Sequence, residues 1–264
     1  MEFEVNGQPV YAYTGGKPLD ATRPAVIFIH GAEMDHSCWA LQSRWFAHHG
    51  FCMLAVDLPG HGRSAGAPLA SIPAMAAWIV ALLDAAGIAR AALVGHSMGS
   101  LAALEAAAVF PDRVSRIALL GNATPMPVSQ TLLNAARDEP GRAEAMINVW
   151  SLSPHGQIGG NSVPGMWLAG ANRLLMARAE RNVLFNDLSA CNNYAQGLEN
   201  AARVRCPALL LCGSRDQMTP PKAAQNLARL LPDARLQMLA ATGHAMMAEQ
   251  PDAVLDALRD FLTA

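Results

Sequence analysis

"LVGHSMGSLA", residues 93–102, is the stretch on which the reading of this chain turns. An apolar run ends at Gly95; His96, Ser97 and Met98 follow; Gly99 then opens an Ala/Leu-rich helical segment. Gly95-His96-Ser97-Met98-Gly99 fits G-x-S-x-G, in which the glycines let a chain turn sharply from strand to helix where a Cβ would clash. Such a turn pushes the Ser97 hydroxyl out at the carboxyl end of a sheet, against the partial positive charge of a helix N-terminus. Strained turns of this kind cluster at functional sites.

Working outward, short apolar runs alternate with longer helical patterns. Strands are predicted at 25–30, 51–57, 91–96, 114–121, 207–213 and 235–240, and their continuous rather than alternating apolarity suggests cover on both faces. Helices are predicted at 37–49, 71–87, 97–110, 221–231 and 251–262, the last with Val254, Leu255, Leu258, Phe261 and Leu262 on one face behind Pro251. The alternation implies an α/β fold with a doubly wound, mostly parallel sheet of about eight strands. Between residues 123 and 197 the rhythm breaks. That stretch is rich in Met and Trp, interrupted by Pro and Gly around 154–165, with helical patterns at 129–137, 142–151 and 171–181. It reads as an inserted helical cap (123–197) on a core built from 1–122 and 198–264.

Composition narrows the possibilities. The 264 residues are 52% hydrophobic and 15% charged, enough to bury a large core. Net charge is −2, which offers no basic field for nucleic acid or anionic lipid. Cys38, Cys52, Cys191, Cys206 and Cys212 form no C-x-x-C pair, and their odd count suits a reducing compartment. The N-terminal "MEFEVNGQPVYAY" lacks the pattern of a signal peptide, and no apolar run reaches membrane-spanning length. A cytoplasmic protein, monomer or homodimer, with a small-molecule substrate and no nucleic-acid or membrane partner is expected.

A serine hydroxyl is a weak nucleophile that needs a base, and the base needs an orienting carboxylate. "PALLLCGSRDQMTP" puts Asp216 just past one predicted strand, and "LQMLAATGHAMMAEQPD" puts His244 just past the next. Both fall on the rim expected for Ser97. "IFIHGAEMD" ends another strand there, so the backbone N–H groups of Ala32 and Met98 are the expected oxyanion donors.

The pieces "HGAEMDHSCW", "VDLPGHGRS", "GHSMGS", "GSRDQMTP" and "GHAMMAEQPD", in this order, resemble the α/β-hydrolase superfamily over essentially the whole chain. The order Ser97, Asp216, His244 is that superfamily's order. The resemblance implies a Ser-His-Asp hydrolase with no cofactor and no metal. A serine at 97 argues against the dehalogenases and epoxide hydrolases of the superfamily, which use Asp there. The first expectation is a hydrolase of small-to-medium, largely apolar carboxylic esters. Carbon–carbon hydrolysis of ring-cleavage diketones is the alternative, ranked lower because those relatives tend to carry an aromatic residue where this chain has Ala245. Cofactor-free haloperoxidase or perhydrolase activity and acyl transfer stay open, while a non-catalytic receptor conflicts with the intact residue set.

Other residues receive plainer readings. Asp57 and His61 are expected to hold the loop around Gly60 and Gly62, His30 to brace the oxyanion loop, and His96 to pack across the turn. His48, His49 and His155 are scattered and suggest no metal cluster. Glu33, beside the expected oxyanion donor, is expected to face solvent or pair with an Arg, since a carboxylate turned inward would oppose developing negative charge. Ser100, where many relatives carry glycine, is expected to affect helix packing rather than chemistry. Met126, Trp150, Trp167, Met218 and Met246 are the candidates to line a substrate pocket.

Overall fold

The computed structural model describes residues 1–160 and 165–264, so part of the Pro/Gly break expected at 154–165 lies outside the described residues. Eight strands form one sheet: β1 (Glu2–Val5), β2 (Gln8–Tyr13), β3 (Ala25–Ile29), β4 (Cys52–Val56), β5 (Ala91–His96), β6 (Val114–Leu120), β7 (Ala208–Gly213) and β8 (Ala234–Leu239). Their spatial order is β1-β2-β4-β3-β5-β6-β7-β8. β1 and β2 run antiparallel, and β3 to β8 are parallel. The sequence located β3 to β8 within a residue or two but left β1 and β2 unassigned. These two form a hairpin about Asn6-Gly7, both at positive φ, which is the chemistry a tight hairpin turn requires.

Twelve α-helices accompany the sheet among the described residues. They are α1 (Ala40–His48), α2 (Ile72–Ala85), α3 (Met98–Val109), α4 (Gln130–Asp138), α5 (Pro140–Ser151), α6 (Pro154–Gln157), α7 (Leu168–Met176), α8 (Val183–Asn192), α9 (Gly197–Arg203), α10 (Pro221–Ala228), α11 (Met246–Glu249) and α12 (Pro251–Leu262). β3, β4, β5 and β7 are buried along their whole length, as strands sandwiched between helical layers must be, whereas β8, expected to be covered on both faces, is the edge strand and is largely exposed. On one face Ile27, Leu54, Leu93 and Leu210 pack with Ile79 and Leu83 of α2, Leu101 and Leu104 of α3 and Leu227 of α10. On the other face Phe28, Val94 and Leu209 pack with Phe46 of α1 and Val254, Leu258 and Phe261 of α12. α3 is buried on every side, which its Ala-rich sequence permits by letting the helix lie close against β5 and β6.

Six helices, α4 to α9, lie between β6 and β7. Leu132 and Leu133 of α4, Ile147 of α5, Met176 of α7 and Leu184 and Leu188 of α8 form a separate apolar cluster, against which Ala32 and Met218 from the strand-end loops also pack. α8 and α9 are not among the helices the sequence predicts. Among the described residues no helix is long and apolar enough to cross a membrane.

Candidate active site

The turn that carries Ser97 is built by close approach. A Cβ on Gly95 would overlap the carbonyl of Gly99, and one on Gly99 would overlap the carbonyls of Ile29 and His30. Glycine at both positions therefore brings α3 tight against the end of β3. Ser97 sits between them at φ 51° and ψ −116°, a strained conformation for a residue with a side chain. Its N–H donates to Leu120 O at 2.9 Å, which pins the turn to β6. Ser100 Oγ donates to Ser97 O, and Asn122 Nδ2 donates to Ser100 Oγ at 2.8 Å. Ser100 thus holds the turn itself, a role beyond the helix packing expected of it.

Past β7, Asp216 Oδ1 accepts the backbone N–H groups of Met218 and Thr219, each at 2.8 Å. Oδ2 accepts Thr219 Oγ1–H at 2.7 Å and His244 Nδ1–H at 2.8 Å. Burial alone would raise the Asp216 pKa, but the His244 charge and these donors outweigh it and hold the group below its ordinary value. An ionised, acceptor-only carboxylate fixes the proton of His244 on Nδ1 and leaves Nε2 as the basic nitrogen. Thr219, for which the sequence offers no separate signal, holds Asp216 by two bonds.

The loop that carries His244 is anchored on both sides. Gly243 N–H donates to Glu249 Oε1 at 2.9 Å, and Ala245 N–H donates to Ser151 O at 2.9 Å. Glu249 Oε2 accepts Ser153 N–H at 3.1 Å, so one buried carboxylate joins this loop to the segment after α5. His96 Nε2 donates to His244 O at 3.0 Å; burial and the neighbouring His244 push the His96 pKa down to about 3, so the ring is neutral. No hydrogen bond joins Ser97 Oγ to His244 among the described residues, and such contacts commonly tighten only when substrate is bound.

Ala32 lies in the loop after β3 and Met98 opens α3 just past β5, and neither N–H has an acceptor among the described residues. Ser97 and Ala32 open onto a cavity of about 360 Å³, whose walls include Met126, Leu132, Trp150, Leu188, Cys191 and Met218. Three of the five pocket residues expected from the sequence therefore line it. Trp167 does not: it is 67% exposed at the start of α7, with its ring against Gly170. Nor does Met246, which turns inward at the start of α11 and packs in the core with Leu258. Leu188 and Cys191 come from α8, whose position over Ser97 no local signal reveals. A larger groove of about 530 Å³ lies between α7 and α11 and does not reach Ser97.

The expectation for Glu33 is overturned. Glu33 is 5% exposed, at φ 57°, and its Oε2 is buried without a partner. Burial, and then the like charges of Glu144 and Asp187, push its pKa up to about 8. Asp57 holds its loop as expected, accepting His36 N–H, His36 Nδ1–H and Arg63 N–H. Asp35, His36 and Asp57 bring possible ligand atoms within 4.8 Å of one another. Their oxygens and ring nitrogen are already engaged by Ser37, Arg178, Arg63 and each other.

Comparison with known proteins agrees with this architecture. The sequence profile described as "alpha/beta hydrolase fold" matches residues 24–251. The pimeloyl-[acyl-carrier protein] methyl ester esterase of Chromobacterium violaceum is 30% identical over 257 residues, covering 90% of this chain and 94% of that protein. The (E)-2-((N-methylformamido)methylene)succinate hydrolase of Acinetobacter baylyi is 29% identical, covering 76% and 73%. The crystal structure of the enol-lactonase from Burkholderia xenovorans superposes with a TM-score of 0.85 over the full length of both chains, at 24% identity. This chain belongs to the α/β-hydrolase family and is an enzyme of that family.

Proposed function

We propose that the enzyme is a serine hydrolase of small-to-medium, largely apolar carboxylic esters, working through an acyl-enzyme. The observation that carries this reading is the His244–Asp216 pair, with its proton fixed on Nδ1, on the same rim as a strained Ser97 that opens onto an apolar cavity. In this reading the acyl chain lies among Met126, Leu132, Trp150 and Leu188, with the carbonyl carbon against Ser97 Oγ. His244 Nε2 takes the Ser97 proton during attack and returns it to the leaving alcohol, while Asp216 supports the transient imidazolium. The tetrahedral oxygen receives the N–H groups of Ala32 and Met98, which have no other acceptor among the described residues. Water then follows the same path to release the acid. Residues 123–197 act as the cap that shapes the cavity and excludes bulk water from it. An ester-cleaving relative, the Chromobacterium esterase, supports the same bond type.

The test is kcat/KM on p-nitrophenyl esters of increasing acyl length, with Ser97→Ala alongside. An optimum at short-to-medium chains that vanishes in Ser97→Ala is expected. Turnover in folded Ser97→Ala within tenfold of the wild type would overturn the nucleophile assignment. Uniformly slow esters, with Ser97 still labelled by a fluorophosphonate, would move the reading to another acyl or carbon–carbon bond.

A further inference from the structure

Three segments distant in sequence meet beside Ala32. Glu33 N–H donates to Asp187 Oδ2 at 3.0 Å, and His61 Nε2–H donates to the same oxygen at 2.8 Å. The other ring nitrogen, Nδ1, donates to Pro59 O at 3.0 Å, so His61 carries a proton on both nitrogens. Burial opposes that charge, but Asp187 outweighs it and holds the His61 pKa above its ordinary value. Asp187 belongs to α8 and is completely buried. The His61 ring lies 4.7 Å from that of His30. His30 Nδ1–H donates to Gly31 O at 2.8 Å, and its Nε2 accepts Leu58 N–H at 3.1 Å.

These bonds fix the direction of one N–H. Gly31 C=O and Ala32 N–H belong to the same planar peptide and point opposite ways. Holding Gly31 O with His30, and with Met34 N–H at 3.2 Å, therefore aims Ala32 N–H away from them. The next peptide is held through Glu33 N–H by Asp187, which keeps Glu33 at its left-handed φ. Ala32 is thus set from both flanks, on one side by the strand-end loops and on the other by a helix that lies between β6 and β7.

We propose that Asp187 is a positioning residue for the oxyanion donor at Ala32, and that the seating of α8 thereby controls transition-state stabilisation. This rests on the reading of Ser97 as the nucleophile. α8 carries both ends of the coupling: Leu188 and Cys191 line the acyl cavity, and Asp187 holds the loop. An acyl chain that packs against Leu188 and Cys191 seats the helix that aims the donor, so a filled cavity raises kcat as well as affinity.

Asp187→Asn tests it. With the charge gone, His61 keeps one proton, on Nδ1 toward Pro59 O, and Nε2 becomes an acceptor. The Asn amide must turn its NH₂ toward that nitrogen, and the NH₂ then meets Glu33 N–H, donor against donor. Because a buried pair broken on one side can unfold a chain, the double variant Asp187→Leu/His61→Leu is measured beside it, which removes both charges together. Thermal melts select the variants folded at assay temperature. Displacing a donor rather than deleting it predicts a fall in kcat of about 10- to 100-fold, with KM within about threefold. The affinity for a trifluoromethyl ketone matched to the best acyl chain, which forms a tetrahedral adduct at Ser97, falls by the same factor. A folded variant that keeps wild-type kcat and ketone affinity overturns the proposal, as does a rise in KM with ketone affinity unchanged. Ser97→Ala is run in parallel: its inactivity beside a fully active Asp187 variant overturns this proposal alone, whereas turnover by Ser97→Ala overturns the underlying reading and this one with it.

Discussion

Glu33→Gln is the perturbation with the largest worked consequence. The carboxyl is buried, Oε2 has no partner, and Glu144 on α5 and Asp187 on α8 add like charge, so the pKa stands at about 8 against an ordinary 4.5. Between those two values the folded protein binds a proton that the unfolded chain has released. Stability from this group is full below about pH 4.5 and is lost as pH rises through about 8. At about 1.4 kcal/mol per unit, the whole loss is on the order of 5 kcal/mol, of which about 1.4 has already gone by about pH 5.5. Glutamine keeps the shape and never ionises. The gap between variant and wild type in urea unfolding should therefore widen by roughly 3 kcal/mol, in favour of Gln, between about pH 5.5 and 9. Titrations not coupled to Glu33 are common to both proteins and cancel in the difference. A second readout follows from position: Glu33 adjoins Ala32, so its ionisation sets negative charge against an oxyanion there, and wild-type kcat should decline above about pH 8 while the variant's does not. A stability difference flat across this range would refute the reasoning, because it would mean that Glu33 is solvated or paired in the folded protein.

Asp216→Asn should lower kcat by about 10⁴-fold through the wrong His244 tautomer, measured on the best p-nitrophenyl ester. Asp57→Asn should instead cost about 1–3 kcal/mol in denaturant unfolding, since an amide would face His36 and Arg63 donors, and the folded fraction should turn over normally; the reverse ranking would mean that Asp57 is the acid. Cys191→Phe should fill part of the cavity beside Ser97 and shift the acyl optimum to shorter chains, and an unshifted profile would remove Cys191 from the acyl wall. Glu249→Gln should cost about 1–3 kcal/mol, read by urea unfolding, because one of Gly243 N–H and Ser153 N–H must then face an NH₂ group.

The parallel sheet is legible because β3, β4, β5 and β7 are buried on both faces and so read as unbroken apolar runs, each closed by a loop residue with its own chemistry. The hairpin of β1 and β2 was passed over although Asn6-Gly7 between two short alternating runs is a hairpin signal; its half-exposed strands lack the continuous apolarity that marked the others. Ser97, Asp216 and His244 can be singled out as candidates in the sequence because each sits in a local turn that the sequence spells out. The cavity was harder. Residue type alone points to Met126, Trp150 and Met218, which do line it, and equally to Trp167 and Met246, which face elsewhere. Which way a side chain turns depends on where its helix packs, and the helices between β6 and β7 pack through contacts between residues far apart in the chain.

Buried carboxylates make the point most sharply. Asp57, Asp187, Asp216, Glu33, Glu105 and Glu249 are all buried, and residue type alone gives them one chemistry. Their donors separate them. Asp216 accepts four bonds, one of them from the His244 ring. Asp57 accepts three and closes a loop. Glu249 and Asp187 each reach across to another segment, Glu249 from the His244 loop and Asp187 to the Ala32 loop. Glu105 takes Tyr194 and Asn200 and ties α3 to the end of the inserted helices. Glu33 alone has a buried oxygen with no donor, and it is the one whose proton burial retains. In the proposed reading, that is what lets an acidic residue stand next to the oxyanion donor: as a neutral acid it adds no charge against the transition state, and the donor-rich carboxylates around it carry the negative charge where protein N–H groups already answer it.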